Sequence, residues 1–98
     1  MIRIDIISQN ADQAVMRVAG EVWLDYEINL VAQEGNRYLE TSKLLVLDLE
    51  HLQRLSDRAL PQLKEWQDQG RLQIRAWHYL IDFKLHHHEL IPPRKEDL

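Results

Sequence analysis

Five histidines, two groups of carboxylates and one serine-bearing turn are the places where this sequence could do chemistry. His86-His87-His88, with His78 and His51 elsewhere, invites a metal ion. Successive helical residues point ~100° apart, so three in a row diverge, and helical metal ligands need a spacing such as i, i+4. The run reads as the polar end of a helix, with histidines near its negative pole, and no metal site is expected. Glu21, Asp25 and Glu27 form one carboxylate group, Asp48 and Glu50 another. Paired carboxylates can serve as general acid and base, but no motif ties a nucleophile or histidine to either group. The three glycines lie far apart and make no phosphate-cradling loop. The chain is therefore expected not to be an enzyme and to need no cofactor. What remains is the turn Ser56-Asp57-Arg58, whose residues suit capping and recognition better than catalysis.

The elements that position these residues must come from a single small core. The chain has 98 residues, 45% of them hydrophobic and 29% charged, which fits one globular domain. The expected domain is 1–91, with 92–98 as a C-terminal tail. Cysteine is absent, which excludes a disulfide framework, a thiolate zinc site and a cysteine nucleophile. Arg3 and Asp5 interrupt the first apolar run, and no stretch approaches the ~20 apolar residues that span a bilayer. A cytoplasmic protein without membrane insertion is expected. The net charge is −4 and the basic residues are scattered; nucleic-acid binding leaves a basic footprint, so nucleic acid is not an expected partner.

Hydrophobic period then assigns the elements. Met1 to Ile7 alternates, with Ile2, Ile4 and Ile6 on one face. Asn10 marks a turn, and Ala14 to Ala19 reads as a second strand ended by Gly20. The pair suggests an antiparallel hairpin. From Asp25 to Thr41 the period turns helical, with Ile28, Val31, Ala32, Gly35 and Leu39 inward and Glu27, Glu34, Asn36 and Glu40 elsewhere. Asp25 is the expected N-cap, and Gly35 is expected to allow close approach to a sheet. Lys43 to Leu49 holds the most apolar run, the mark of a strand covered on both faces. A helix follows from Ser56 to Gln69, regular only from about Leu60 because Pro61 disturbs its start, and Gly70 stops it. Arg71 to Trp77 alternates again. Tyr79, Leu80, Phe83 and His87, with Ile81 and Leu85 beside them, mark a last helix ended by Pro92-Pro93. Trp23 and Trp66 are expected in the core; Trp77, beside Tyr79, is expected to be partly exposed.

The segment from Leu44 to Gly70 resembles the centre of a STAS domain. Leu45-Val46-Leu47-Asp48-Leu49 is followed by Leu52 and Leu55 at L-x-x-L spacing, a polar turn, and a helix leading into Gln69-Gly70-Arg71-Leu72. Gly20-Glu21-Val22 is similar to the Gly-Glu-Leu that precedes the family's first helix. The resemblance implies an α/β fold in the order β-β-α-β-α-β-α, with a four-stranded mixed sheet, an N-terminal hairpin and about three helices.

Laid on the family pattern without gaps, Ser56-Asp57-Arg58-Ala59-Leu60 occupies the place of Asp-Ser-Ser-Gly-Leu. Arg58 falls where anti-sigma factor antagonists carry their phosphorylated serine, and arginine has no hydroxyl to modify. Three readings of the turn stay open. Ser56 and Asp57 serve as N-cap and first-turn acid. Alternatively, Ser56, Asp57, Arg58 and Leu60 form a partner-docking surface, Asp57 giving fixed negative charge and Arg58 a fork for a partner carboxylate. In the third, Ser56 itself is phosphorylated at the helix N-terminus.

The resemblance implies a regulatory protein–protein interaction module similar to an anti-sigma factor antagonist, with a kinase-like anti-sigma factor as partner. The alternative is a small STAS subunit that braces the ATPase of an ABC-type lipid transporter. A carrier of a small ligand is a third reading. A homodimer through an exposed edge strand is compatible with the pattern.

Overall fold

Alternation at the N-terminus builds a hairpin, and its turn is closed by a single side chain. Strand β1 (Ile2–Gln9) pairs antiparallel with β2 (Gln13–Val22). The Asn10 carboxamide oxygen accepts from the backbone N–H of Asp12 (2.9 Å) and Gln13 (3.0 Å), so the polar turn is an Asx turn. The pairing has a bulge between Ile6 and Ser8, and Ile7, on the strand face opposite Ile2, Ile4 and Ile6, is exposed. β2 does not stop at Gly20. It continues to Val22 with Gly20 at φ +89°.

The computed structural model describes residues 1–92. After β2 come α1 (Asp25–Leu39), β3 (Leu44–Leu49), β4 (Leu52–Leu55), a single 3-10 turn (Asp57–Ala59), α2 (Leu60–Asp68), β5 (Leu72–Trp77) and α3 (Tyr79–His87). The expected tail falls, apart from Pro92, outside the described residues.

The sheet is mixed, in the order β1-β2-β3-β5. β3 lies between β2 and β5 and runs parallel to both. Leu45, Leu47 and Leu49 join the core with the helices, while Val46 and Asp48 are buried on the other side, where Asp48 meets Arg17 and Arg75 rather than a second layer of helices. The fifth strand, β4, corrects the expected count of four. It pairs with the far end of β2, Gly20–Val22, where β3 has turned away. Its four residues show no alternation, because a register shift leaves Leu52 and Leu55 buried and Gln53 and Arg54 exposed.

One face of the sheet, carrying Met16, Val18, Leu45, Leu47 and Ile74, joins Val31, Leu39, Leu63 and Trp66 of the helices in a single core. Gly35 sits at its tightest point. A Cβ there would overlap the Trp66 ring, so the missing side chain admits the second helix's tryptophan rather than the sheet alone. Trp66 is buried, and its indole N–H donates to Asn36 Oδ1 at 2.9 Å. Asn36, expected off the inward stripe, thus has a structural partner in the core tryptophan.

Pro61 costs α2 little, because it stands in the first turn, where the backbone N–H has no intrahelical acceptor anyway. The chain reaches α2 through the 3-10 turn, as the conflict at Pro61 requires. Gly70 ends the helix at φ +70°, with its N–H on Gln67 O and the Arg71 N–H on Trp66 O, both 2.9 Å.

In α3 the residues that mark the helix in the sequence are mostly the outer ones. Ile81 and Leu85 point into the core with Leu90 and Ile91, while Tyr79, Leu80 and Phe83 are exposed. Two i, i+4 stripes overlap in this segment, and period alone does not choose between them. The helix also ends earlier than the prolines suggest. Glu89 N–H bonds His86 O and Leu90 N–H bonds Leu85 O, with Glu89 at φ 58°.

Candidate interaction surface

The turn that follows β4 is fixed from below and tied down on two sides. Ser56 donates its N–H to Val22 O at 2.8 Å, and its hydroxyl accepts from the Arg58 N–H at 3.2 Å. It is the N-cap of the 3-10 turn and only 5% exposed. Leu60 is buried in the core. Of the four residues expected at a docking surface, Ser56 and Leu60 therefore support the turn from inside, and only Asp57 and Arg58 present side chains outward. Burial of Leu60 is a consequence of α2 beginning there, its first turn facing the sheet.

Asp57 reaches α3. Its carboxylate lies 2.9 Å from Lys84 Nζ, and the hydrogen bond and charge of Lys84 hold the carboxyl below the usual carboxylate range. Lys84 also donates to Leu55 O at the end of β4. Arg58 reaches the other way: its guanidinium pairs with Asp25 in the first turn of α1 and donates to Trp23 O at 3.0 Å. Arg58 is thus engaged within the molecule, its fork already holding a carboxylate of its own chain.

The start of α1 that receives Arg58 departs from expectation. Leu24 is the N-cap and Asp25 the first helical residue. Leucine has no acceptor, so capping comes from the opposite direction. Glu27 Oε1 accepts from the N–H groups of Leu24 (2.9 Å) and Trp23 (3.2 Å). Those bonds, Leu24 first, outweigh burial and lower the Glu27 pKa. Glu27, assigned by period to the outer face, is 1% exposed. The Glu three places after the N-cap was the available signal.

Trp23 is the hub of this region and does not belong to the core. It is 40% exposed, with the Arg54 guanidinium 4.0 Å from its ring centroid and Lys84 Nζ at 6.0 Å. Arg54 in turn pairs with Glu21 at 2.9 Å, its register partner across β2 and β4. Trp23, Arg54, Leu55, Leu80, Ile81 and Lys84 line an open groove of about 180 Å³. Leu24 and Tyr26, which flank Asp25 in the chain, and Phe83, which precedes Lys84, are exposed. Periodicity had indicated none of this surface as such, because it assembles from the N-cap of α1, β4 and the outward stripe of α3.

The other candidates resolve elsewhere. Asp48 is buried, with Arg75 at 3.3 Å and Arg17 at 3.4 Å on the same carboxylate oxygen and the Glu50 N–H at 3.1 Å on the other. Burial works to raise its pKa, but these bonds prevail and lower it. The residues flanking it are arginines, which neutralise it. The three histidines diverge: His86 turns inward to Asp82 (3.4 Å), His87 stacks on Phe83, and His88 caps the helix. Among the described residues no His, Asp or Glu cluster suits a metal ion, and no helix is long and apolar enough to cross a membrane. Trp77 is half-buried and donates to Asp82 at 2.7 Å, whereas neighbouring Tyr79 is exposed and stacks on His78.

No protein-family model matches the sequence, and no curated protein matches it. Solved structures do. An anti-sigma factor antagonist from Mycobacterium paratuberculosis superposes with a TM-score of 0.71 at 19% identity, covering 99% of this chain and 90% of that one. The anti-sigma factor antagonist SpoIIAA, in its unphosphorylated form, gives 0.69 at 9% identity over 99% and 91%. With its mixed five-stranded sheet and three helices, the chain has the STAS fold of the anti-sigma factor antagonists.

Proposed function

We propose that the chain is a regulatory protein–protein interaction module that docks a protein partner in the manner of an anti-sigma factor antagonist. The supporting observation is the gathering of exposed Trp23, Leu24, Tyr26, Leu80 and Phe83 around the Asp57–Arg58 turn. Exposed apolar patches of this kind mark interaction sites, and tryptophan, tyrosine and arginine dominate interface energetics. Asp57 and Arg58 form the polar centre, with Ser56 and Leu60 as their internal support.

The module works without a kinase switch at this turn. The Ser56 hydroxyl is buried and occupied as a cap, so a phosphate would have to open the turn to be accommodated. Arg58 stands in the register of the family's modified serine and offers no hydroxyl. The partner class we infer is a kinase-like anti-sigma factor.

Affinity capture from the source cell with wild type and Asp57→Lys, followed by identification of the retained proteins, tests this. An anti-sigma factor retained by wild type and lost on Asp57→Lys is the expected result. Identical retention of every protein by both would reject the turn as the docking site. Recovery of a transporter ATPase would reassign the module to lipid transport. Incubation of the recovered complex with ATP should leave Ser56 unmodified; phosphate found there would overturn the unswitched reading.

A further inference from the structure

Resting on the docking reading above, we infer the chemistry of the partner: it meets this surface with an uncharged apolar face. The reason is that the surface has already matched its own charges. The charges beside the groove are matched within the chain: Arg54 pairs with Glu21, Arg58 with Asp25 and Lys84 with Asp57, and the Met1 ammonium lies between Glu21 (3.7 Å) and Glu27 (3.5 Å). Each pair joins two separate elements: β4 to β2, the 3-10 turn to α1, and α3 to the turn. The pairs therefore neutralise charge where separate elements meet.

A partner carboxylate that approached Arg54 or Lys84 would meet Glu21 or Asp57 within the same contact distance. Attraction to one member of a pair is opposed by repulsion from the other, so neither sign of partner charge gains much. Exposed ion pairs of this kind also contribute little on their own. What the surface still offers is apolar area. Leu24, Tyr26, Leu80 and Phe83 are between 53% and 78% exposed, and burying such area from water is favourable in proportion to its extent. The groove between Trp23 and Leu80 is itself lined by Gln53, Arg54 and Lys84 as well as by Leu55 and Ile81, so the apolar area lies in the exposed side chains beside it.

Two synthetic amphipathic helical peptides test the inference. Both carry the same leucine and phenylalanine face; one has glutamine and serine on its polar face, the other glutamate. Each is titrated into the ¹⁵N-labelled full chain. The neutral peptide should shift the amides of Trp23, Leu24, Tyr26, Leu80 and Phe83. Its affinity should change less than about 3-fold between about 50 and 500 mM NaCl, a range over which screening abolishes charge-driven binding. Phe83→Ser and Leu24→Ser, both at exposed positions, should each weaken it about 10-fold. Tighter binding of the glutamate peptide that collapses with salt would overturn the inference. So would no shift at these residues with either peptide, or a dimer of the free protein dispersed by Phe83→Ser. A captured partner that is lost on Asp57→Lys but binds with steep salt dependence would reject this inference and leave the docking reading standing. Absence of any turn-dependent partner would reject the docking reading itself.

Discussion

Lys84 of α3 lies 2.9 Å from Asp57, the first residue of the turn that opens α2, so two helices are joined by charge at the candidate surface. The contact crosses from the outer side of α3, whose inner side is committed to the core through Ile81 and Leu85.

Because Lys84 is the main cause of the lowered Asp57 pKa, Lys84→Gln should return the Asp57 carboxyl toward the ordinary value of about 3.9. An NMR titration of the side-chain carboxyl carbon reads this directly. No movement of the Asp57 titration in Lys84→Gln would show that the pair does not persist in solution.

Acid should weaken the fold in a defined window. Glu27, Asp48 and Asp57 all have folded-state pKa values below their ordinary ones. As pH falls the unfolded chain therefore takes up these protons first. Their stabilisation is fully present above about pH 5, where the unfolded carboxylates are ionised. It is lost as pH drops through the lowered folded values. Urea midpoints measured from pH 7 down to pH 3 should be level at first and then decline. In Glu27→Gln the decline should be shallower, since one of the responsible groups no longer titrates.

Gly35→Ala should destabilise the protein despite alanine's better helix propensity. The propensity gain is about 1 kcal/mol, whereas forcing a methyl into the Trp66 ring is an overpacking cost of about 1–3 kcal/mol. The same substitution in a Trp66→Leu background should cost less, because the clash partner is gone. Chemical denaturation of the four proteins gives the coupling, and strict additivity would contradict the close approach.

Glu89→Gly should stabilise by about 0.5–1 kcal/mol. Glu89 sits at φ 58° in the stop of α3, a conformation glycine adopts without penalty. A matched Glu89→Ala control should bring no such gain, which separates backbone conformation from loss of charge. Thermal melts of both variants check it.

Ser56→Ala should cost about 1 kcal/mol through loss of the cap on the Arg58 N–H. Its circular dichroism spectrum should be unchanged, since α2 begins beyond the turn. A midpoint equal to wild type would show that the hydroxyl contributes nothing there.

Much of this architecture was legible beforehand because it is written in short-range pattern. Alternation at Ile2, Ile4 and Ile6, the unbroken run into Leu49, Pro61 at a helix start and Gly70 at its end each act within a few residues. Local sterics and local hydrogen bonds suffice to read them. β4 escaped because four residues with a register shift carry no period. Glu27 escaped because capping from the N3 position overrides the helical stripe.

The sequence by itself determined the order of the three helices and of every strand but β4, the strand at the sheet centre and the capped turn at Ser56. Only the tertiary structure decided which stripe of α3 faces inward, since both stripes satisfy the helical period and packing selects between them. It alone also brought Arg58 to Asp25 and Arg54 to Glu21, each pair 33 residues apart in the chain. Charge carries no address along a sequence. These pairings exist because β2, β4 and the N-terminus of α1 converge at one end of the sheet, and that convergence made the surface around Trp23.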